Sequence, residues 1–226
     1  MNQMPLGNKV TYPKGHDPSV LYPIPRKPCG YKLYGYDLWR SYELSWLNSK
    51  GKPRIGILEI VYPVESKCIV ESKSLKLYLG GISFENFNSA KGVEEIIRHD
   101  LEHILSTEWI SVRIIEQAGF PEMTCRSHPA GICLDNRDIQ ITTFQRDPAL
   151  LSCSQVLSEE ELYSDLLKTN CPITGQPDWG SVAICYRGRT IDHEALLKYI
   201  CSYRDQEGFA EEVCEQIFLD IMERCK

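Results

Sequence analysis

Thr169-Asn-Cys-Pro-Ile-Thr-Gly-Gln-Pro-Asp-Trp-Gly180 is the stretch around which the rest of this 226-residue chain arranges itself. Pro172, Gly175 and Pro177 exclude a continuous helix or central strand, so the segment folds back as a rigid loop. Cys171 stands near its start and Asp178 follows seven residues later. A loop of this kind can bring a carboxylate over a sulfur, the minimum apparatus of covalent catalysis. A buried cysteine in an ordinary turn fits the same residues, and the loop alone does not choose.

Outward from the loop, Ser181-Val-Ala-Ile-Cys-Tyr186 reads as a strand and Arg187-Gly-Arg189 as a turn. Two helices follow, over about 193–205 and 209–225; the second carries Phe209, Val213, Ile217, Phe218, Ile221 and Met222 on one stripe. Upstream, Ser158-Glu-Glu-Glu161 has the form of a capping box and predicts a short helix through Leu167. Strand character is predicted for Asp37–Leu47, Arg54–Tyr62, Cys68–Val70, Trp109–Ile115 and Asp138–Phe144. Ser89 caps a helix whose apolar positions run from Val93 to Leu105. Strands, helices and strands, then strand and helices again, predict two related α+β halves, 1–150 and 151–226.

The bulk composition excludes several classes. A formal charge of −6 gives no broad surface for nucleic acid or an anionic membrane. No run approaches the roughly eighteen apolar residues of a membrane span. The N-terminus lacks an apolar h-region, so a cytoplasmic protein is expected. Ten scattered cysteines with no Cys-x-x-Cys read as reduced thiols. His99 and His103 are four apart on a predicted helix but find no third ligand, and Cys125, His128 and Cys133 match no zinc spacing, so no metal is expected. His193-Glu194, at a helix start, reads as capping.

Glu71-Ser-Lys-Ser-Leu-Lys-Leu-Tyr-Leu79 places a carboxylate, hydroxyls and ammonium groups at what reads as the edge of an apolar strand. A solvated, charged strand edge looks the same. Together with Asn170–Gly180, however, this segment resembles the two-half form of the NADPH-dependent 7-cyano-7-deazaguanine reductases, the nitrile reductases of queuosine biosynthesis. Leu6-Gly7, Tyr22-Pro-Ile-Pro-Arg26, Tyr42-Glu-Leu-Ser-Trp-Leu47, Tyr186-Arg-Gly188, Ile191-Asp-His-Glu-Ala-Leu-Leu197 and Phe218 extend the resemblance over nearly the whole chain.

The resemblance implies a tunnelling fold: two tandem halves of antiparallel sheet with paired helices, the second without its final strands. It implies a homo-oligomer and reduction of the nitrile of 7-cyano-7-deazaguanine to a primary amine through a covalent thioimide. By motif, Cys171 is then the nucleophile and Asp178 the proton donor. Val70, Glu71, Ser72, Phe209, Ala210 and Glu211 contact the substrate, while Ser72 and Lys73 contact NADPH. The residues suit these roles. A thiol needs help to ionise near neutrality, each reduction requires a proton on nitrogen, and a carboxylate matches the donor edge of a guanine-like ring. No Gly-x-Gly-x-x-Gly is present, so NADPH is implied by the resemblance alone.

Two departures qualify the expectation. The family has histidine where this chain has Ala210, and a general acid–base group is worth roughly 10²–10⁴ in rate. Family members also continue past the last helix into strands with an Arg-Gly pair for the cofactor, so weak NADPH binding is expected for a sequence ending at Lys226. The alternatives are a relative that captures the nitrile without reducing it, and a structural subunit.

Overall fold

A computed structural model describes residues 13–28, 30–107, 109–116 and 129–226; Leu6, Gly7, Tyr12, Cys125 and His128 lie outside them. The chain divides into two compact units, Met1–Cys125 and Arg126–Lys226. The division falls earlier than residue 150 because Leu134, Ile139 and Leu150 pack in the second unit's core.

In the first unit, β1 (Pro23–Pro25) pairs antiparallel with β4 (Cys68–Val70). Strands β2 (Tyr36–Leu47), β3 (Pro53–Pro63) and β5 (Ser111–Glu116) form an antiparallel sheet in the order β2-β3-β5. Helices α1 (Ser72–Ile82) and α2 (Ala90–Leu105) pack on it. Ser89 accepts a hydrogen bond from the Gly92 amide, which starts α2 as its sequence predicts. Val93, Ile97, Leu101 and Leu105 recur every fourth position and are fully buried against Leu58, Ile60 and Tyr62 of β3. Each such side chain contributes about 1.5–3 kcal/mol, so packing, more than propensity, holds the helix.

The segment expected as a strand edge is α1. Leu75, Leu77 and Leu79 alternate as a strand would, but Leu75, Tyr78, Leu79 and Ile82 form an i, i+3, i+4, i+7 stripe that buries against the sheet. Glu71 then becomes the N-cap, accepting from the amides of Lys73 and Ser74.

In the second unit, β7 (Cys153–Asn170) and β8 (Pro177–Ile191) form a long antiparallel hairpin, and β6 (Ile132–Cys133) lies parallel to β7. Helices α3 (His193–Ser202) and α4 (Ala210–Arg224) complete it, with a 3-10 turn over Tyr203–Asp205. The helix expected over Ser158–Leu167 is part of β7. Ser158, Glu160, Leu162 and Ser164 turn inward while Glu159 and Glu161 are exposed, a period of two that pairing with β8 enforces. Arg187-Gly-Arg189 is no turn either: these residues pair with Glu159, Ser158 and Leu157. Asp138–Phe144 forms no strand; Ile139 packs on the core instead. The architecture is α+β, with antiparallel sheets and, among the described residues, four α-helices.

The two units repeat each other's fastenings. Asp17-Pro18 and Asp147-Pro148 each open a 3-10 turn capped by the aspartate. The residue before each is a base that reaches a buried carboxylate: His16 Nε2 lies 2.6 Å from Asp100 Oδ2, and Arg146 donates through Nε (2.8 Å) and Nη2 (2.5 Å) to Asp220. A tyrosine hydroxyl donates to the same carboxylate, Tyr78 at 2.6 Å and Tyr199 at 2.5 Å. Burial and then the adjacent carboxylate push both phenols far up, so both remain donors.

The hairpin tips repeat too. Leu47 donates its amide to Glu85 O and accepts from the Phe87 amide, both at 2.8 Å; Asn170 donates to Gln206 O at 2.8 Å and accepts from the Gly208 amide at 3.1 Å. After Leu47 comes a turn in which Asn48 Oδ1 accepts from the amides of Lys50 and Lys52. After Asn170 comes Cys171.

Candidate active site

Thr169 pairs with Asp178 and Asn170 with Pro177, so Cys171 is the first residue beyond the last pair of the β7–β8 hairpin. Its amide donates to Gln176 O at 2.8 Å and its carbonyl accepts from Gly175 at 2.9 Å, closing the six-residue loop 171–176. Gly175 has φ +69°, where a side chain would be strained. The prolines thus sit at the bend and at the first position of β8, and the loop is folded back as its composition requires. Cys171 is half-buried and Asp178 exposed. As direct cross-strand partners, Thr169 and Asp178 point to one face, and Cys171 is two residues on from Thr169.

That face borders a cavity of about 570 Å³ whose walls include Thr169, Asp178, Trp179, Ala210, Val213 and Phe218. The structure therefore brings Asp178 and Ala210 to one space, with a polar end at the strands and an apolar wall along α4. Cys171, Phe209 and Glu211 are not among its lining residues. Phe209 is the residue from which α4 starts, and Glu211 with Glu212 occupies the first turn, where the helix dipole favours carboxylates. Ala210 adds only a methyl group to the site.

The first-unit residues divide into two kinds. Val70 and Glu71 are each 1% exposed. Glu71 Oε1 accepts from Lys73 N at 2.8 Å and Ser72 Oγ at 3.4 Å, and Oε2 accepts from Ser74 N at 2.7 Å. Its own amide donates to Tyr22 O at 2.9 Å. Ser72 and Lys73 are exposed. Ser72 opens on a second cavity, of about 560 Å³, together with Arg40, Tyr42, Glu43 and Lys76. The Lys76 hydrogen bond holds the Glu43 carboxyl below its ordinary range.

No group of three or more side chains able to hold a metal occurs among the described residues. His99 and His103 line a separate cleft of about 860 Å³ with Pro18, Tyr22 and Ile104. Asp192, not His193, caps α3, accepting from the Ala195 amide at 2.9 Å. His193 instead reaches the sheet, Nδ1 at 2.6 Å from Arg137 and Nε2 at 3.2 Å from Glu160. Tyr186 also donates to Glu160; that bond first, and His193 after it, hold the carboxyl low against the opposing effect of burial. Sequence reading also missed the ties around Asn170. Lys168 Nζ donates to Asn170 Oδ1 at 2.5 Å and to Arg204 O at 2.7 Å, and Asn170 Nδ2 donates to Asp205 Oδ1 at 3.2 Å. The alternation of Lys168 and Asn170 on one face of β7 was the available signal.

Comparison with known proteins points one way. Residues 12–114 match the family described as nitrile reductase, 7-cyano-7-deazaguanine-reductase N-term, and residues 177–226 match the family described as QueF-like protein. The chain is similar to a protein of Desulfotalea psychrophila named NADPH-dependent 7-cyano-7-deazaguanine reductase, 44% identical over 232 residues, covering 98% of this chain and 83% of that one. Proteins of the same name from Legionella pneumophila (strain Corby) and Burkholderia multivorans are 43% and 42% identical. The alignments cover 100% and 98% of this chain and 82% and 84% of the relatives.

Proposed function

We infer the activity of this chain from the family to which it belongs, the NADPH-dependent 7-cyano-7-deazaguanine reductases, whose members match it over nearly its whole length. It is an NADPH-dependent oxidoreductase acting on the nitrile of 7-cyano-7-deazaguanine. The observation that carries the chemical part of the reading is the closed tip of the β7–β8 hairpin, where a half-buried thiol opens the loop and a carboxylate stands in the second position of β8.

In this reading the Cys171 sulfur adds to the nitrile carbon, a C–S bond forms, and the nitrogen takes one proton. Asp178, at the start of β8, holds and delivers that proton. NADPH, when bound, supplies hydride. Two hydrides and two further protons convert the thioimide to the primary amine, with the C–S bond broken and the thiol restored. Phe209 offers a flat apolar face to the base, and Glu211 accepts from its ring N–H and amino group. Val70, Glu71 and Ser72 are further substrate contacts in this reading; only two short contacts and one long one occupy Glu71, so acceptor sites remain. Lys73 and Ser72 fit an anionic cofactor group, since both are exposed at the N-terminal turn of α1.

The repeated Asp-Pro turns, buried carboxylates and hairpin ties support tandem halves of the tunnelling fold. The same reading makes the protein a cytoplasmic homo-oligomer. A second reading, capture of the nitrile without its reduction, is favoured by Ala210, which puts a methyl group where the family has histidine.

Intact-mass measurement after mixing with the nitrile tests the chemistry. A substrate-sized increase is expected, abolished in Cys171→Ala, and discharged when NADPH is added. An adduct that persists with NADPH selects the second reading; no mass change under reducing conditions removes Cys171 as nucleophile.

A further inference from the structure

The backbone ties at the two hairpin tips match bond for bond, so they are a property of the fold and owe nothing to the thiol. The side chains differ. In the first unit the tied residue is Leu47, which has no polar group. Ser45, two residues before it, donates its hydroxyl to Arg54 O at 2.9 Å, within its own hairpin. In the second unit the tied residue is Asn170, adjacent to Cys171. Its amide joins Asp205 on one side and Lys168 on the other, and Lys168 goes on to the Arg204 carbonyl. The Arg204 guanidinium lies 5.5 Å from the ring centre of Trp179, the cross-strand partner of Lys168. Gln145 Nε2 fixes Asp205 from behind, 3.1 Å from its carbonyl and 3.3 Å from Oδ2.

The polar arm therefore exists only at the tip that carries the thiol, and it ends on 204–206, the segment that leads into Phe209, Ala210 and Glu211. An exposed bond such as that from Asn170 to Asp205 adds little to stability. Its effect is geometric: it fixes the tip against rotation about the two backbone bonds.

We propose that Asn170 is a positioning residue for the nucleophile, its side-chain amide setting Cys171 against the start of α4. The proposal rests on Cys171 as the attacking thiol. Displacing a reacting group by about 1 Å costs on the order of 10²-fold in rate.

The test compares two reactions at Cys171, each read by peptide mass mapping in the whole chain. Adduct formation with the nitrile needs the thiol placed; alkylation by iodoacetamide does not. Asn170→Ala is expected to slow the adduct by about 10- to 100-fold while alkylation and Tm stay near wild type. Asn170→Asp, which sets two carboxylates face to face, is expected to slow it too. Asn170→Asp with Asp205→Asn restores a donor–acceptor pair in reverse and is expected to recover most of the rate. If Asn170→Ala lowers Tm by several degrees, the reversed pair carries the comparison. An adduct rate unaffected by Asn170→Ala, an equal slowing of adduct and alkylation, or no recovery in the reversed pair overturns the proposal. A wild-type chain that alkylates at Cys171 but forms no adduct overturns the nucleophile reading, and this one with it.

Discussion

Replacing Glu71 separates its structural part from its proposed part in recognition. Its carboxylate is the N-cap of α1, with one oxygen on the Lys73 amide and the other on the buried Ser74 amide. Losing a capping side chain costs about 1 kcal/mol, and a buried donor left without an acceptor costs about 1–3 kcal/mol more. Glu71→Ala should therefore lower the free energy of local opening of α1 by on the order of 2–4 kcal/mol. Glu71→Gln keeps one acceptor oxygen and should cost about half as much. At about 1.4 kcal/mol per tenfold, the alanine variant should exchange its α1 amides roughly 30- to 1,000-fold faster than wild type. Hydrogen exchange read by mass spectrometry on a peptide covering Ser72–Ile82 measures this directly. Exchange within about threefold of wild type would refute the assignment of the carboxylate as the helix's fastening.

Two other perturbations follow from buried charges. Arg146→Met leaves Asp220, 4% exposed, with no cation beside it; unfolding free energy should fall by about 3–5 kcal/mol, and a urea titration showing less than about 1 kcal/mol would contradict the role given to the pair. Glu59 is sandwiched between Arg40 (2.8 Å) and Arg113 (3.0 Å). Burial works against its ionisation, but the hydrogen bonds from Arg113 and Arg40 outweigh it and hold the carboxyl below its usual range. A carboxyl lowered in the folded state stabilises fully above its unfolded pKa of about 4.3 and loses that contribution as pH falls through the folded value. The Tm difference between wild type and Glu59→Gln should be widest near neutrality and shrink below about pH 4.3; a difference constant from pH 7 down to 3 would show that the ion pairs carry none of it.

Where the sequence could be read directly, a local signal and the final packing agreed. Ser89 and the stripe from Val93 to Leu105 announce α2, and the β-branched run of β3 announces a buried strand. The errors came where a local signal lost to a distant partner. Ser158-Glu-Glu-Glu161 is a sound capping box in isolation, but Gly188, Arg187, Tyr186 and Cys185 claim it for the sheet. Leu75, Leu77 and Leu79 satisfy both periods, and only the core against which α1 packs selects the helical one. At the site, proline and glycine made the Cys171 loop legible. The arm beside it was not, because the alternation of Lys168 and Asn170 says nothing of Asp205, 35 residues beyond Asn170.

Asn48 occupies in the first unit the place that Cys171 holds in the second, and it has become self-sufficient: its own carbonyl oxygen gathers the Lys50 and Lys52 amides and finishes the bend. A thiol is only a weak acceptor, and the other bend is held by the backbone bonds of Cys171 with Gln176 and Gly175. Two bends of one outline therefore differ in how they tolerate change: trading Asn48 for a residue without a side-chain acceptor removes part of its bend's closure, whereas trading Cys171 leaves the backbone bonds of its bend in place.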